Sequence, residues 1–395
     1  MALGLSRIQP VAVRLGVLSW DCPVITVAGT NGKGSCVAIT TAILQAAGYR
    51  CGSYTSPHLL RYNERIGIAG QTVTDIDLCT AFAEIETVRQ DMPLTYFEFG
   101  TLAALWLFKQ AQLDVIVLEV GLGGRLDAVN IVDADIAIIS SVDLDHMDWL
   151  GETREQIAWE KAGILRAAKP CIWGDEIVPS RIQAYAQRLK APLYVQNRDF
   201  GIADNATTTW TGWGVSYRFE QLPKPPLHLP NAACVLQAIA LLQARLPVTF
   251  TAIQQGLQQV FLPGRFHIIP GPVTTILDVA HNPASTRLLA QRFATLPTQG
   301  RKLAVVGMLT TKDIPQSLAP LVQQIDHWFV GSLAVAKAAS AAQLANCLRE
   351  LNVLSSSEYS TIPAAFKAAQ AAASPEDHLL VFGSFHTVAA VMAQL

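Results

Sequence analysis

The densest chemistry in this sequence lies between Val24 and Ser35, VITVAGTNGKGS. Glycines at 29, 32 and 34 let backbone N–H groups approach a phosphate; Lys33 can reach a nucleotide's outer phosphates, and Ser35 can help to hold Mg²⁺. The pattern departs from G-x-x-x-x-G-K-[ST], because its first glycine would fall at Val27 and Gly34 separates the lysine from the hydroxyl. A glycine-rich turn can also be a plain tight connection, so its neighbours matter. Two further stretches offer acids. DVIVLEV, Asp114 to Val120, ends on Glu119 before Gly121, Gly123 and Gly124. An acid at the carboxyl end of a parallel strand stands where doubly wound sheets bind ligands, and can hold Mg²⁺; a half-exposed strand-end glutamate is the plain alternative. Asp135 to Ser141 runs into Asp143, Asp145, His146 and Asp148, which reads either as a site or as an acidic loop with a hydrogen-bonded histidine.

Strands and helices must position these residues. Val24 to Ala28 is a β-branched apolar run suited to a buried strand, and the helix behind the turn carries Ile39, Ile43 and Leu44 on its apolar face with Gly48 closing it. Thr74 with Asp77 opens a helix, Thr95 to Phe108 forms another, and a helix from Thr153 carries Glu160-Lys161, an ordinary surface pair by spacing alone. Residues 1 to 20 read as the tail of a helix through Val11, Val13 and Leu15. The polar stretch Arg61 to Ile66 is either a solvated connection or a lid. Beyond Pro230, Asn231 reads as the N-cap of a helix bearing Val235, Leu236 and Ile239.

Turn signals at Leu262-Pro263-Gly264-Arg265 and Pro270-Gly271-Pro272 separate a second α/β alternation from the first. Its strands are expected at Thr274 to Val279, Leu303 to Gly307, His327 to Val330 and Leu379 to Phe382, with Asp278 to Pro283, Thr310 to Asp313 and Gly383 to His386 at their ends. Polar residues at three strand ends suggest that this sheet also faces a ligand. The predicted fold class is therefore α/β, a P-loop-containing parallel-sheet ATPase domain over residues 1–267 followed by a smaller, Rossmann-like domain over 268–395.

Composition narrows the partners. Hydrophobic residues make up 51% of the 395, yet no apolar run reaches bilayer length, and the longest, Leu102 to Phe108, stops at Lys109. The first ten residues show no secretory signal, and seven cysteines without a C-x-x-C pair suit a reducing cytoplasm. A formal net charge of −2 without a basic cluster speaks against nucleic acid and leaves a small anionic ligand open.

GTNGKGS (29–35), TSPHL (55–59), RYNERI (61–66), TYFEFGTLAAL (95–105), LEVGLGGRLDAVN (118–130), DHMDWLG (145–151), EKAGI (160–164), LPGRF (262–266), DVAHNP (278–283) and GSFHT (383–387) together resemble the bifunctional dihydrofolate synthase/folylpolyglutamate synthases of the Mur ligase superfamily, in order and over nearly the whole chain. Gly34, irregular for a generic P-loop, is what the folate branch shows. The resemblance implies an ATP-binding central domain, a C-terminal glutamate-ligase domain and ATP-dependent amide ligation. A pterin-bearing carboxylic acid, dihydropteroate or a tetrahydrofolate and its polyglutamates, would accept the γ-phosphoryl group. The resulting acyl phosphate would be attacked by L-glutamate, with ADP and phosphate released. A ligase for another carboxylic acid, or a P-loop nucleotide switch, are the alternative readings.

Residue by residue, the resemblance implies that Asn31, Gly32, Lys33, Gly34 and Ser35 hold the phosphates, with Asn231, Arg265 and Asp278 as further nucleotide contacts. Ser35, Ser56, Glu119 and His146 would bind metal, two Mg²⁺ ions in all, and Lys161 would be open to carbamylation. Lys33, Lys161 and His281 would serve catalysis, and His281 with Ser384 would lie near glutamate. Arg61, Thr95, Phe97, Asp127 and Ala128 would meet the pterin acid, Phe97 by stacking, although Phe97 reads equally as a core residue. A monomer is expected. Relative to the family, the chain reaches its glycine-rich turn early, without the N-terminal helix expected before it.

Overall fold

The computed structural model describes residues 3–205 and 208–395, and the chain divides into two compact units, Met1–Phe261 and Leu262–Leu395. The first is built on β1 (Val24–Ala28), β2 (Cys51–Tyr54), β3 (Ile66–Ile68), β4 (Gln71–Thr72), β5 (Val115–Glu119), β6 (Ile136–Ile139), β7 (Cys171–Trp173) and β8 (Leu193–Val195). They form one sheet in the order β4-β3-β2-β5-β1-β6-β7-β8. The run from β2 to β8 is parallel, whereas β3 and β4 join antiparallel at one edge. β1, β5 and β6 are buried along their whole length, as unbroken apolar runs should be when both faces of a parallel sheet are covered.

This order sets β1 between β5 and β6, so the glycine-rich turn, Glu119 and the loop running to His146 all leave the sheet at adjacent carboxyl ends. The helix Lys33–Ala46 follows the turn, and its end is closed by Gly48 at φ 90°, with Gly48 and Tyr49 N–H groups returning to Gln45 and Leu44 carbonyls. A helix, Ile8–Leu15, does precede the turn; Val11 lies on its buried face, whereas Val13 is exposed. Capping boxes at Thr74, Thr95 and Thr153 start the helices Asp75–Arg89, Tyr96–Ala111 and Arg154–Ala162, so Thr95 caps its helix from outside. A three-stranded antiparallel sheet, β9 (Gly201–Asn205), β10 (Thr209–Gly214) and β11 (Tyr217–Pro223), completes the unit with the helix Leu229–Leu242. His228, not Asn231, occupies the cap of that helix, and Asn231 is its third residue.

The second unit carries β12 (His267–Ile269), β13 (Thr274–Leu277), β14 (Lys302–Val306), β15 (His327–Gly331), β16 (Ser356–Tyr359) and β17 (His378–Phe382) in the order β12-β13-β17-β14-β15-β16. All neighbours are parallel except β12, which pairs antiparallel to β13. Two of these strands lack a clear sequence signal, since β12 is three residues long and β16 reads Ser-Ser-Glu-Tyr. The unit begins at Leu262, and β12 itself starts at His267, so the expected division after residue 267 falls within this sheet's first strand. β17 returns between β13 and β14, bringing the loops after Leu277, Phe382 and Val306 to one edge.

Candidate active site

The glycine-rich turn is held from the β6 side. Ser141 accepts the Thr30 N–H at its carbonyl (2.8 Å) and the Asn31 N–H at its hydroxyl (3.0 Å), while the Ser140 hydroxyl donates to the Asn31 carbonyl at 2.7 Å. Thr30 and Asp143 exchange two more bonds, each of 3.0 Å. Ser140 and Ser141 carried no sequence signal of their own, yet they fix the turn. Gly32 adopts φ 87° and a Cβ there would lie 2.5 Å from Oδ1 of Asn231, so the position excludes side chains on both conformational and spatial grounds. Asn231, buried in the first turn of its helix, thereby packs against the turn as part of the same unit.

No side chain caps the helix Lys33–Ala46, which starts from Gly32, leaving its N-terminus to face the turn. Lys33 folds back so that Nζ donates to the carbonyls of Gly29 (3.0 Å) and Thr30 (3.3 Å). Ser35 is buried, as is Glu119 at the end of β5, whose Oε2 accepts the Ser56 N–H at 3.2 Å. This joins Ser56, after β2, to the acid on the neighbouring strand. Among the described residues no three His, Cys, Asp or Glu side chains gather as a metal cage. The donors present, a buried carboxylate and serine hydroxyls, are the hard oxygen set that Mg²⁺ takes when substrate phosphates and water complete its shell. His146, in the left-handed region at φ 52°, begins the short helix Met147–Leu150 and places Nε2 4.0 Å from Asp145 Oδ2.

Lys161 departs furthest from what its spacing alone suggests. It is 2% exposed, and burial, reinforced by the Lys33 charge and partly opposed by Asp145, brings its pKa down to about 7. Its neighbour Glu160 pairs with Arg125 (2.8 Å), and the Arg125 N–H donates to the Glu160 carbonyl. A Cβ at Gly124 would sit 2.9 Å from the carbonyl oxygens of both Glu160 and Lys161. The glycines after β5 thus let the lysine-bearing helix close onto the loop. The same loop contains Asp127, which is buried and has its pKa pushed up to about 7 by desolvation, opposed by N–H groups of Leu122, Val129 and Gly121 and by Lys33. Its carboxylate accepts from Leu122 at 2.8 Å and Val129 at 3.1 Å, capping the turn Ala128–Ile131. Phe97 leans over this loop: a Cβ at Gly121 would come within 2.6 Å of its ring, which also lies 5.9 Å from that of Tyr54. Thr95 holds the start of the Phe97 helix through the Glu98 N–H.

The Arg61–Arg65 segment is ordered by Glu64, whose carboxylate accepts the N–H groups of Leu59, Leu60 and Arg61 at 2.6–2.8 Å. Arg61 is exposed and paired with Asp75; Arg65 is buried, bonded to His58 Nδ1 and lying over the Tyr62 and Tyr96 rings.

In the second unit, Asp278 accepts from the N–H groups of Phe266 and Ala280, both at 2.8 Å; burial raises its pKa against the opposing charges of Arg265 and Arg292. Arg265 lies over the Phe385 ring at 4.9 Å. His281 Nδ1 is 2.8 Å from the Val279 carbonyl. Ser384, expected near a substrate, is buried and caps the helix Phe385–Met392 through the Thr387 N–H at 3.0 Å. His281, Ser384 and Asp278 belong to one strand-end edge of this unit; Lys33, Glu119, His146, Lys161 and Asp127 belong to the first.

Residues 27–221 match the family model for the Mur ligase middle domain, and residues 264–385 match that for the Mur ligase glutamate ligase domain. The chain is 49% identical over 393 residues to the dihydrofolate synthase/folylpolyglutamate synthase of Escherichia coli (strain K12), spanning 99% of this chain and 90% of that one. It is similar to the solved structure of E. coli FolC in complex with DHPP and ADP, with a TM-score of 0.95 and 47% identity over 100% of this chain and 93% of the other. A bifunctional folylpolyglutamate synthase/dihydrofolate synthase with Mn, AMPPNP and L-glutamate bound gives a TM-score of 0.93 and 47% identity, over 100% and 94% of the two chains.

Proposed function

The chain belongs to the dihydrofolate synthase/folylpolyglutamate synthase family of Mur ligases, and from that premise we propose how its own residues carry out the reaction. It is an ATP-dependent, C–N bond-forming ligase that joins L-glutamate to folates, with ATP and a divalent metal ion as cofactors. Phosphoryl transfer of this kind needs positioning and charge neutralisation more than a protein nucleophile, which is the equipment found at the first unit's edge.

In this reading the N–H groups of Gly32 to Ser35 and the Lys33 ammonium take the ATP phosphates, with Asn31 tied to Ser141 and the Asn231 side chain holding the turn. Ser35, Ser56, Glu119 and His146 would hold Mg²⁺, as two ions, and the metal's contribution when bound is to neutralise charge on the transferring phosphoryl group. Phe97, Thr95, Asp127, Ala128 and Arg61 form the side toward the pterin acid. Asp127 acts chiefly by fixing the loop, since its carboxylate accepts the backbone N–H groups of Leu122 and Val129. Arg265 and Asp278 contact nucleotide; His281 and Ser384 orient L-glutamate. Ser384 does so through the helix start it caps.

The observation that carries this reading is the buried amine of Lys161, set against the Lys33 charge. An amine with a pKa near 7 is substantially neutral at physiological pH and can add to CO₂: the nitrogen lone pair forms the N–C bond and a proton leaves, giving a carbamate. That converts the site's least comfortable cation into an anion able to support a metal ion. Purified protein should release ADP only when L-glutamate and dihydropteroate or a tetrahydrofolate are both supplied; ATP turnover indifferent to the two acids would overturn the ligase assignment.

A further inference from the structure

The bonds described above that steady the turn from the β6 side come from Ser140, Ser141 and Asp143, and the segment Ser140 to Asp143 is itself gripped from behind. Val142 is buried between Ser141 and Asp143, and both of its backbone groups are taken by one ion pair. Its N–H donates to Asp175 Oδ2 at 2.8 Å, and its carbonyl accepts from Arg154 Nε at 2.9 Å. Arg154 closes the triangle by donating from Nη2 to the same Asp175 oxygen at 3.0 Å. The two side chains come from different elements. Asp175 follows β7, where the Gly174 N–H bonds to the Ile139 carbonyl, and Arg154 is the first residue of the helix that carries the buried Lys161 in its last turn. Arg154 and Lys161 stand seven positions apart, two turns along one face.

We propose that Arg154 and Asp175 are a positioning pair for catalysis, clamping the Val142 peptide so that the Ser140–Asp143 segment presents both the phosphate turn and His146 in register. The proposal rests on the reading that this edge binds metal and nucleotide. An ion pair spanning only surface groups would contribute little here, since exposed pairs are worth about 0–1 kcal/mol. The clamp differs because its bonds go to a backbone whose next contacts are Thr30 and Asn31. Loosening it lets one peptide shift, and a misplacement of about 1 Å at positioned groups can cost on the order of 10²-fold in rate. The pair's bonds go to the Val142 peptide and to each other, so its loss should fall on metal-nucleotide affinity and on kcat, not on the pterin side.

Asp175→Ala, Asp175→Asn, Arg154→Met and Arg154→Lys separate positioning from bulk stability. The Asn side chain keeps an acceptor for the Val142 N–H, whereas Ala keeps none. Mn²⁺ binding in the presence of AMPPNP, followed by electron paramagnetic resonance, should weaken at least fivefold in Asp175→Ala and Arg154→Met and stay within twofold in Asp175→Asn. Steady-state kinetics should show kcat falling about tenfold or more and KM for ATP rising in the Ala and Met variants, with KM for dihydropteroate within twofold of wild type. Arg154→Lys, which offers one donor where two are needed, should fall between. Mn²⁺ affinity and KM for ATP unchanged in Asp175→Ala would overturn the proposal, as would an Asp175→Asn variant as impaired as Asp175→Ala, because then the peptide clamp is not what matters. Wild-type protein that failed to bind Mn²⁺ with AMPPNP would instead remove the site reading, and the clamp with it.

Discussion

Lys161 is held almost out of water with Lys33 as a like-charged neighbour, an environment that favours the neutral amine over the ammonium. The folded-state pKa, near 7, lies below the ordinary lysine value, so the unfolded chain binds the extra proton between about pH 7 and 10.5. Stability should therefore rise with pH across that window, and the penalty should be complete below pH 7. Urea midpoints in CO₂-free buffer between pH 7 and 10 test the sign; Lys161→Met should flatten the slope, raise stability at pH 7 and abolish ligation, and bicarbonate should not restore it. Lys33 makes the opposite case, a cation solvated by the carbonyls of the turn it serves. Lys33→Ala should cut the single-turnover rate of ADP formation by about 10²- to 10³-fold while leaving the fold intact, because a methyl group cannot offset charge developing on the phosphoryl oxygens. A near-normal rate would mean that the turn does not hold the γ-phosphate.

At the scale of elements, the loop after β5 and the helix Arg154–Ala162 behave as one piece. Arg125 bonds Glu160 through both backbone and side chain, Asn130 Nδ2 reaches the carbonyls of Arg125 and Gly163 at 3.1 Å, and Gly124 leaves no room for a Cβ. Gly124→Ala should cost about 1–3 kcal/mol in urea unfolding by overpacking, and should reduce turnover more than an exposed Gly→Ala change, since the displaced helix carries Lys161. The sequence showed a glycine run and a Glu-Lys pair 36 residues apart as separate features. Nothing in either spacing reported that they interlock, because such contacts depend on the path of β6 between them. Asp127 illustrates the same limit. The family resemblance alone pointed to it, and no spacing reported that its carboxylate accepts two N–H groups in a buried turn and caps it.

For the whole molecule, strand order does what no motif could. Placing β1 between β5 and β6 brings Lys33, Glu119 and the His146 loop to one edge from positions spread over more than a hundred residues. Returning β17 between β13 and β14 does the same for Asp278, His281 and Ser384. ADP release that requires both L-glutamate and a pterin acid is the test at this scale, and dihydropteroate and tetrahydrofolate assayed side by side measure how activity divides between them. By itself the sequence determined the α/β class, most strands and helices, the glycine-rich turn and the family, because hydrophobic period, capping residues and local motifs act within a few residues. Only the tertiary structure decided that Lys161 is buried, that Asn231 packs on Gly32 rather than capping a helix, and that Ser140, Ser141, Arg154 and Asp175 fix the turn. Burial, electrostatic coupling and close backbone approach are properties of neighbours in space, and crossover connections place those neighbours far apart in the chain.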